Sequence, residues 1–209
     1  MKKVLAILLA LLMVPAAYSA TPEKQLKKAK EKERKEVMKR FKKEGWKPMN
    51  ASHSMEVLLL EHWAKADGEN VREETGTATR SKSKALGEQM AQNQAYINYA
   101  QEAEQTVKGL VAAEMNGNDV DVDTELNNFY AAYKREVEKE IRGELQKSFT
   151  IFRENPDGTY EVQTFFVINE DQASKARMRA FENALKESEA AQRHAQQIMD
   201  LVERNMSNN

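Results

Sequence analysis

The stretch from Thr75 to Met115 constrains the fold more than any other. Thr75-Gly76-Thr77-Ala78-Thr79 is a run of strand-type residues. Ser81 to about Ala103 follows as a helix rich in small side chains. Thr106 to Met115 then alternates Val107, Gly109, Val111, Ala113 and Met115 with Lys108, Leu110, Ala112 and Glu114, which predicts a second strand with one apolar face. Such a strand–helix–strand unit demands a sheet with a helix lying on it. Within the helix, Leu86, Met90, Asn93, Ile97 and Ala100 fall on one stripe, with Ala85, Ala91 and Ala95 beside it. Small residues there let the helix lie close to the sheet.

The rest of the chain supplies partners for that unit. Ser54 to about Ala66 reads as a helix whose Met55, Val57, Leu58, Leu59, Leu60 and Trp63 form a broad apolar face, capped by Ser52 or Ser54 and ended by Asp67-Gly68. Asn116 to Asp123 reads as an acidic loop, with Asp123 or Thr124 capping a helix that carries Leu126, Phe129, Tyr130, Tyr133, Val137 and Ile141 on one side and stops at Gly143. Leu145–Arg153 and Thr159–Ile168 form the plainest hairpin. Leu145, Phe149 and Ile151 alternate on one arm, Tyr160, Val162, Phe166 and Ile168 on the other, and Asn155-Pro156-Asp157-Gly158 is the turn. Asn169, with Gln172 three residues on, caps a long terminal helix whose buried side is marked by Ala173, Phe181, Ala184, Leu185, Ala191, Ala195, Ile198 and Val202.

The expected class is α+β: a small, mostly antiparallel sheet with helices shielding one face, a charged N-terminal helical arm and a long C-terminal helix. The 209 residues suit one well-buried domain plus an appendage. The divisions are a leader over 1–20, a basic arm over 21–47, a single domain over 48–205 and a tail over 206–209.

Lys2 and Lys3, the apolar run Val4–Val14 and the small residues through Ala20 have the layout of a cleavable signal peptide, cut near Ser19 or Ala20. The expected location is therefore periplasmic or secreted. From Thr21 to Lys47 ten Lys and two Arg stand against five Glu, a charge of +7, whereas the chain from Pro48 onward carries −10. Two readings of that arm stand side by side. One is attraction to an anionic envelope polymer or lipid surface. The other is a solvated helix tied by i,i+4 pairs such as Glu31–Lys35 and Glu36–Arg40, which the thin apolar stripe favours. Gly45-Trp46-Lys47-Pro48 breaks the arm, with Trp46 covering one end of the core.

No catalytic, cofactor-binding or metal-ligating residue is assigned. The chain has no Cys, which removes disulfides, thiolate metal sites and a cysteine nucleophile. His53, His62 and His194 lack partners at ligand spacing and read as surface or packing residues. Asp119, Asp121 and Asp123 have the spacing that opens a calcium loop, but Thr124 stands where that loop needs glycine and Tyr130 where it needs glutamate. Neither a Gly-x-Ser-x-Gly nor a His-Glu-x-x-His motif occurs, and nothing selects a carboxylate pair from the many acids.

Gly76-Thr77-Ala78 on a strand, Asn93-x-Ala95 on an alanine-rich helix, then a strand, a helix and a hairpin make an order that resembles the lipoprotein-20-like domain of bacterial envelope proteins, also found in the N-terminal part of the flagellar accessory protein FlgT. The resemblance covers roughly Glu69 to Ala184 and implies a small sheet backed by helices, an envelope setting and no shared catalytic set. The lipobox cysteine of many members is absent here. The Lys-rich helix, the Gly-Trp-Lys turn and this domain together also look like a family of secreted proteins from gut-type bacteria. The expected function is that of an exported, non-enzymatic envelope protein, a binding or assembly module with a protein partner or self-association and no nucleic acid. An exported hydrolase with a carboxylate site and an anionic-surface binder are the alternatives.

Overall fold

The computed structural model describes residues 22–50, 52–114, 120–187 and Gln192. The chain divides into two compact units between Lys43 and Glu44. The first contains helix α1, Pro22–Lys43. Pro22 suits a first helical position, and the Lys, Glu and Ala that follow are good helix formers. Among the described residues, no helix is long and apolar enough to cross a membrane. The leader over 1–20, the loop over 116–119, His194 and the far half of the terminal helix lie outside the described residues.

The second unit is α+β. Its elements are β1 (Lys47–Pro48), α2 (Met55–Ala66), β2 (Val71–Ser81), α3 (Lys84–Glu114), α4 (Val120–Glu140), a single 3₁₀ turn (Ile141–Gly143), β3 (Gln146–Glu154), β4 (Tyr160–Asn169) and α5 (Glu170–Glu187). The sheet has four strands in the order β1-β3-β4-β2, and every neighbouring pair is antiparallel. The hairpin forms where expected. Its turn closes through Gly158 N–H donating to Asn155 O at 3.0 Å, with Gly158 in the left-handed region at φ 77°. Two caps also form as read: Ser54 Oγ accepts from Val57 N–H, and Asn169 Oδ1 accepts from Gln172 N–H at 3.1 Å.

The second strand of the proposed central unit does not form. Residues 106–114 continue α3 as helix. Val107 and Val111, four residues apart, share a face in either structure, and both are buried. Leu110, Ala112 and Glu114 are helix formers, so propensity and packing agree on helix. The buried face of α3 is also not the stripe of large side chains. Gly87, Ala91, Ala95, Tyr99 and Ala103 point inward, while Leu86 and Met90 are exposed.

Distance explains this choice of face. A Cβ built on Gly76 of β2 would stand 1.8 Å from the carbonyl oxygen of Ala91, and one on Gly87 would stand 2.5 Å from a methyl of Val162. The helix backbone thus lies against β2 at Gly76, and α3 against the Val162 side chain at Gly87, so small residues fill the seam at Gly87, Ala91 and Ala95 and Leu86 and Met90 turn outward.

Helices cover both faces of the sheet rather than one. Cross-strand partners share a face, and Thr150 pairs with Thr164 and Phe152 with Val162, so Phe149 and Ile151 lie on the side opposite Val162 and Phe166. α3 lies over the Val162 side, and α4 and α5 stack beyond it in one core with Phe166 and Ile168. Phe129, Tyr133 and Phe181 are the centre of that core, with Phe181 meeting the other two edge-on. α2 covers the opposite side through His62 against Phe149 and Phe165. Its face is narrower than expected: Leu59, His62 and Trp63 are buried, whereas Val57 and Leu60 are exposed.

Two boundaries also move. Val120–Asp123 is already helical in α4, so the helix begins earlier than a cap at Asp123 or Thr124 would place it. Lys47–Pro48 pairs with β3 as a short edge strand, and Trp46 is buried, so the arm ends at Lys43 and the Gly-Trp-Lys-Pro segment belongs to the α+β unit. Proline is tolerated there because β1 is an edge strand.

Candidate functional site

Several polar clusters occur among the described residues of the α+β unit, and two of them hold buried ionisable groups. The first joins β2, α3 and α5. Arg72 reaches both Glu102 and Glu74, and its guanidinium lies 5.3 Å from the Tyr99 ring. Arg177 donates to the Tyr99 hydroxyl and to Glu170 Oε2 at 2.9 Å. Burial pushes the Glu74 carboxyl up, against the pull of Arg72. Burial likewise pushes the Tyr99 phenol up to about 12, opposed by Arg177, and raises the neighbouring Tyr133 as well. Arg177 is raised: desolvation acts downward, but its interactions with Tyr99 and Glu170 outweigh it. Every cation in this group has a carboxylate in hand. The arrangement ties α5 to α3 through Arg177 and Tyr99.

The second cluster is a histidine–carboxylate pair that its spacing does not announce. His62 is buried on α2, and its Nε2–H donates to Glu73 Oε1 at 2.7 Å. Phe149 and Phe165 wall the imidazole at 5.3 and 5.7 Å and stack on each other at 4.5 Å. Nδ1 is buried without a hydrogen-bond partner. The imidazole packs between α2 and the sheet, with Glu73 as its partner. No periodic signal connects position 62 to position 73; the link arises only because β2 runs back beneath α2.

The other residues considered do not converge. His53 is exposed in the turn before α2. Asp121 and Asp123 lie in α4 rather than in a loop. Among the described residues no group of three or more His, Asp or Glu is arranged to hold a metal ion.

The strongest unspent charge is on α1. At 100° per residue, Lys24, Lys28, Lys32, Lys35, Lys39, Lys42 and Lys43 fall within one arc of about 100°. The arc holds Gln25 besides, and neither an acid nor an apolar residue. Glu31 and Glu36 border it, while Glu23 and Glu33 lie on the far side with Leu26 and Val37. All seven lysines are exposed, and among the described residues none of them is held in an ion pair. The expected pairs Glu31–Lys35 and Glu36–Arg40 are not drawn together, in keeping with the small value of exposed pairs. The ridge runs about 28 Å from Lys24 to Lys43. Charge counting found the arm; phase along the helix, which that count ignores, finds the ridge.

No family model, no curated protein and no solved structure matches this chain.

Proposed function

We propose that this is an exported, non-enzymatic envelope protein that works as a binding or assembly module: α1 makes the contact and the α+β unit is the rigid body it holds. The observation that carries the reading is the seven-lysine ridge, exposed and without carboxylate partners among the described residues, on a unit separate from an acidic body. In the body several cations are already engaged, Arg72 with Glu102, Arg153 with Glu161 and Arg179 with Glu140. Charge that is not used for folding is charge available to a partner. The leader over 1–20 supports export, and with it an envelope setting.

The test uses a chain beginning at Thr21, whose formal charge of +7 over 21–47 and −10 beyond gives −3. A protein of that net charge is repelled by an anionic resin unless a local patch holds it. Retention on a phosphate-bearing resin at neutral pH and low salt, with release by salt, is the expected result. Flow-through at low salt overturns the reading.

A further inference from the structure

The lysine ridge is laid out for a plane. We infer that the partner of α1 is the surface of an anionic lipid bilayer, on which the helix lies flat without inserting. The inference rests on the proposed function above and names the partner class.

Three features of the ridge point to it. A plane laid against a helix touches one arc of side chains, whereas a flexible polyanion wraps and gains equally from charge on every side. On α1 seven of the nine lysines occupy one arc from Lys24 to Lys43, and the acids are kept at or beyond its borders. The arc contains no apolar side chain, and exposed Leu26 lies on the opposite side. A helix meant to enter the headgroup boundary would bring Leu, Phe or Trp to the contact face, so this one is held by charge alone. All seven ridge cations are lysines, and both arginines of the helix, Arg34 and Arg40, lie off the ridge. An ammonium on a flexible stem meets diffuse headgroup phosphates as a point charge and needs no bidentate fit.

Each lysine near an anionic leaflet contributes roughly a five-fold gain in partitioning at low salt. Replacing three ridge lysines with Gln therefore lowers it by on the order of 100-fold. Gln is nearly as good a helix former as Lys, so α1 is retained, which far-ultraviolet circular dichroism checks.

The experiment is co-sedimentation of the chain from Thr21 with vesicles of phosphatidylglycerol and phosphatidylcholine in equal parts. Vesicles of phosphatidylcholine alone and soluble polyphosphate run alongside. The ridge variant is Lys28→Gln, Lys35→Gln, Lys39→Gln. Its charge-matched control is Lys27→Gln, Lys30→Gln, Arg40→Gln, all off the ridge. The expected result is salt-sensitive binding to the anionic vesicles only, lost in the ridge variant and reduced by less than about 10-fold in the control. Equal losses in the two variants show that net charge alone acts and overturn the ridge. Binding to phosphatidylcholine vesicles overturns the electrostatic contact. Binding to polyphosphate and resin but not to anionic vesicles overturns the bilayer while leaving the proposed function standing; failure on all three removes both.

Discussion

Replacing Gly76 with Ala adds one methyl group at the tightest contact between β2 and α3. The new Cβ would lie 1.8 Å from Ala91 O and 2.7 Å from Ala95 N, both backbone atoms of a helix that cannot rotate away from them. Ordinary contact begins at 3.4 Å, so α3 has to retreat from the sheet by about 1.6 Å. That movement opens the seam along Gly87, Ala91 and Ala95 and draws the α4–α5 layer with it. Overpacking typically costs about 1–3 kcal/mol, and with backbone as the obstacle the upper end applies, about 3 kcal/mol. For a chain of this size that is a fall in Tm of about 6–12 °C.

Gly109→Ala is the matched control. Nothing lies within 4 Å of a Cβ there, and the residue sits exposed in the helical interior of α3. It should stabilise by about 0.5–1 kcal/mol. Urea denaturation followed by circular dichroism reads both. A Gly76→Ala protein within about 1 kcal/mol of the parent would refute the close approach. A destabilised Gly109→Ala protein would refute the helical assignment of 106–114.

Two further outcomes follow from the structure. The Tyr99 phenol is raised to about 12 by burial, so between pH 10 and 12 the folded state keeps a proton that the unfolded state releases. Its contribution is complete below the unfolded value near 10 and is lost as pH rises, by about 2–3 kcal/mol at pH 12; Tyr99→Phe should flatten part of that slope in urea titrations, with Tyr133 supplying the remainder. Asn169→Ala removes the side chain that accepts from Gln172 N–H and should cost about 1 kcal/mol, with Asn169→Asp close to the parent in the same assay.

The legible parts of this fold are those where one pattern excludes the alternatives. Leu126, Phe129, Tyr130, Tyr133, Val137 and Ile141 fit a helical period and no other, and all six are buried. Asn155-Pro156-Asp157-Gly158 admits a tight turn, and Asn169 with its free side-chain oxygen admits a cap. Residues 106–114 were illegible because a spacing of four satisfies both periods. The inward face of α3 was illegible for a different reason: weighting positions by side-chain size selects Leu86 and Met90, whereas the seam with β2 selects for the absence of a side chain. Phe165, Phe166, Val167 and Ile168 form an unbroken apolar run, the pattern of a strand covered on both faces. Taken as simple alternation, that run hides α2 on the far side of the sheet.

The electrostatics divide along the same line as the fold. In the α+β unit the cations that matter are largely arginines, each paired with a carboxylate: Arg72 to Glu102 and Arg153 to Glu161 across elements, Arg177 to Glu170 within α5. Pairs that are partly buried feel added salt weakly. On α1 the ridge cations are lysines facing water, with no carboxylate partner among the described residues, and their attraction to anything beyond a Debye length of about 8 Å disappears at physiological ionic strength. Salt therefore separates what α1 does from what holds the body together. If added salt released the protein from anionic vesicles and lowered the urea midpoint in parallel, the ridge would be serving the fold, and the charge assigned to a partner would already be in use.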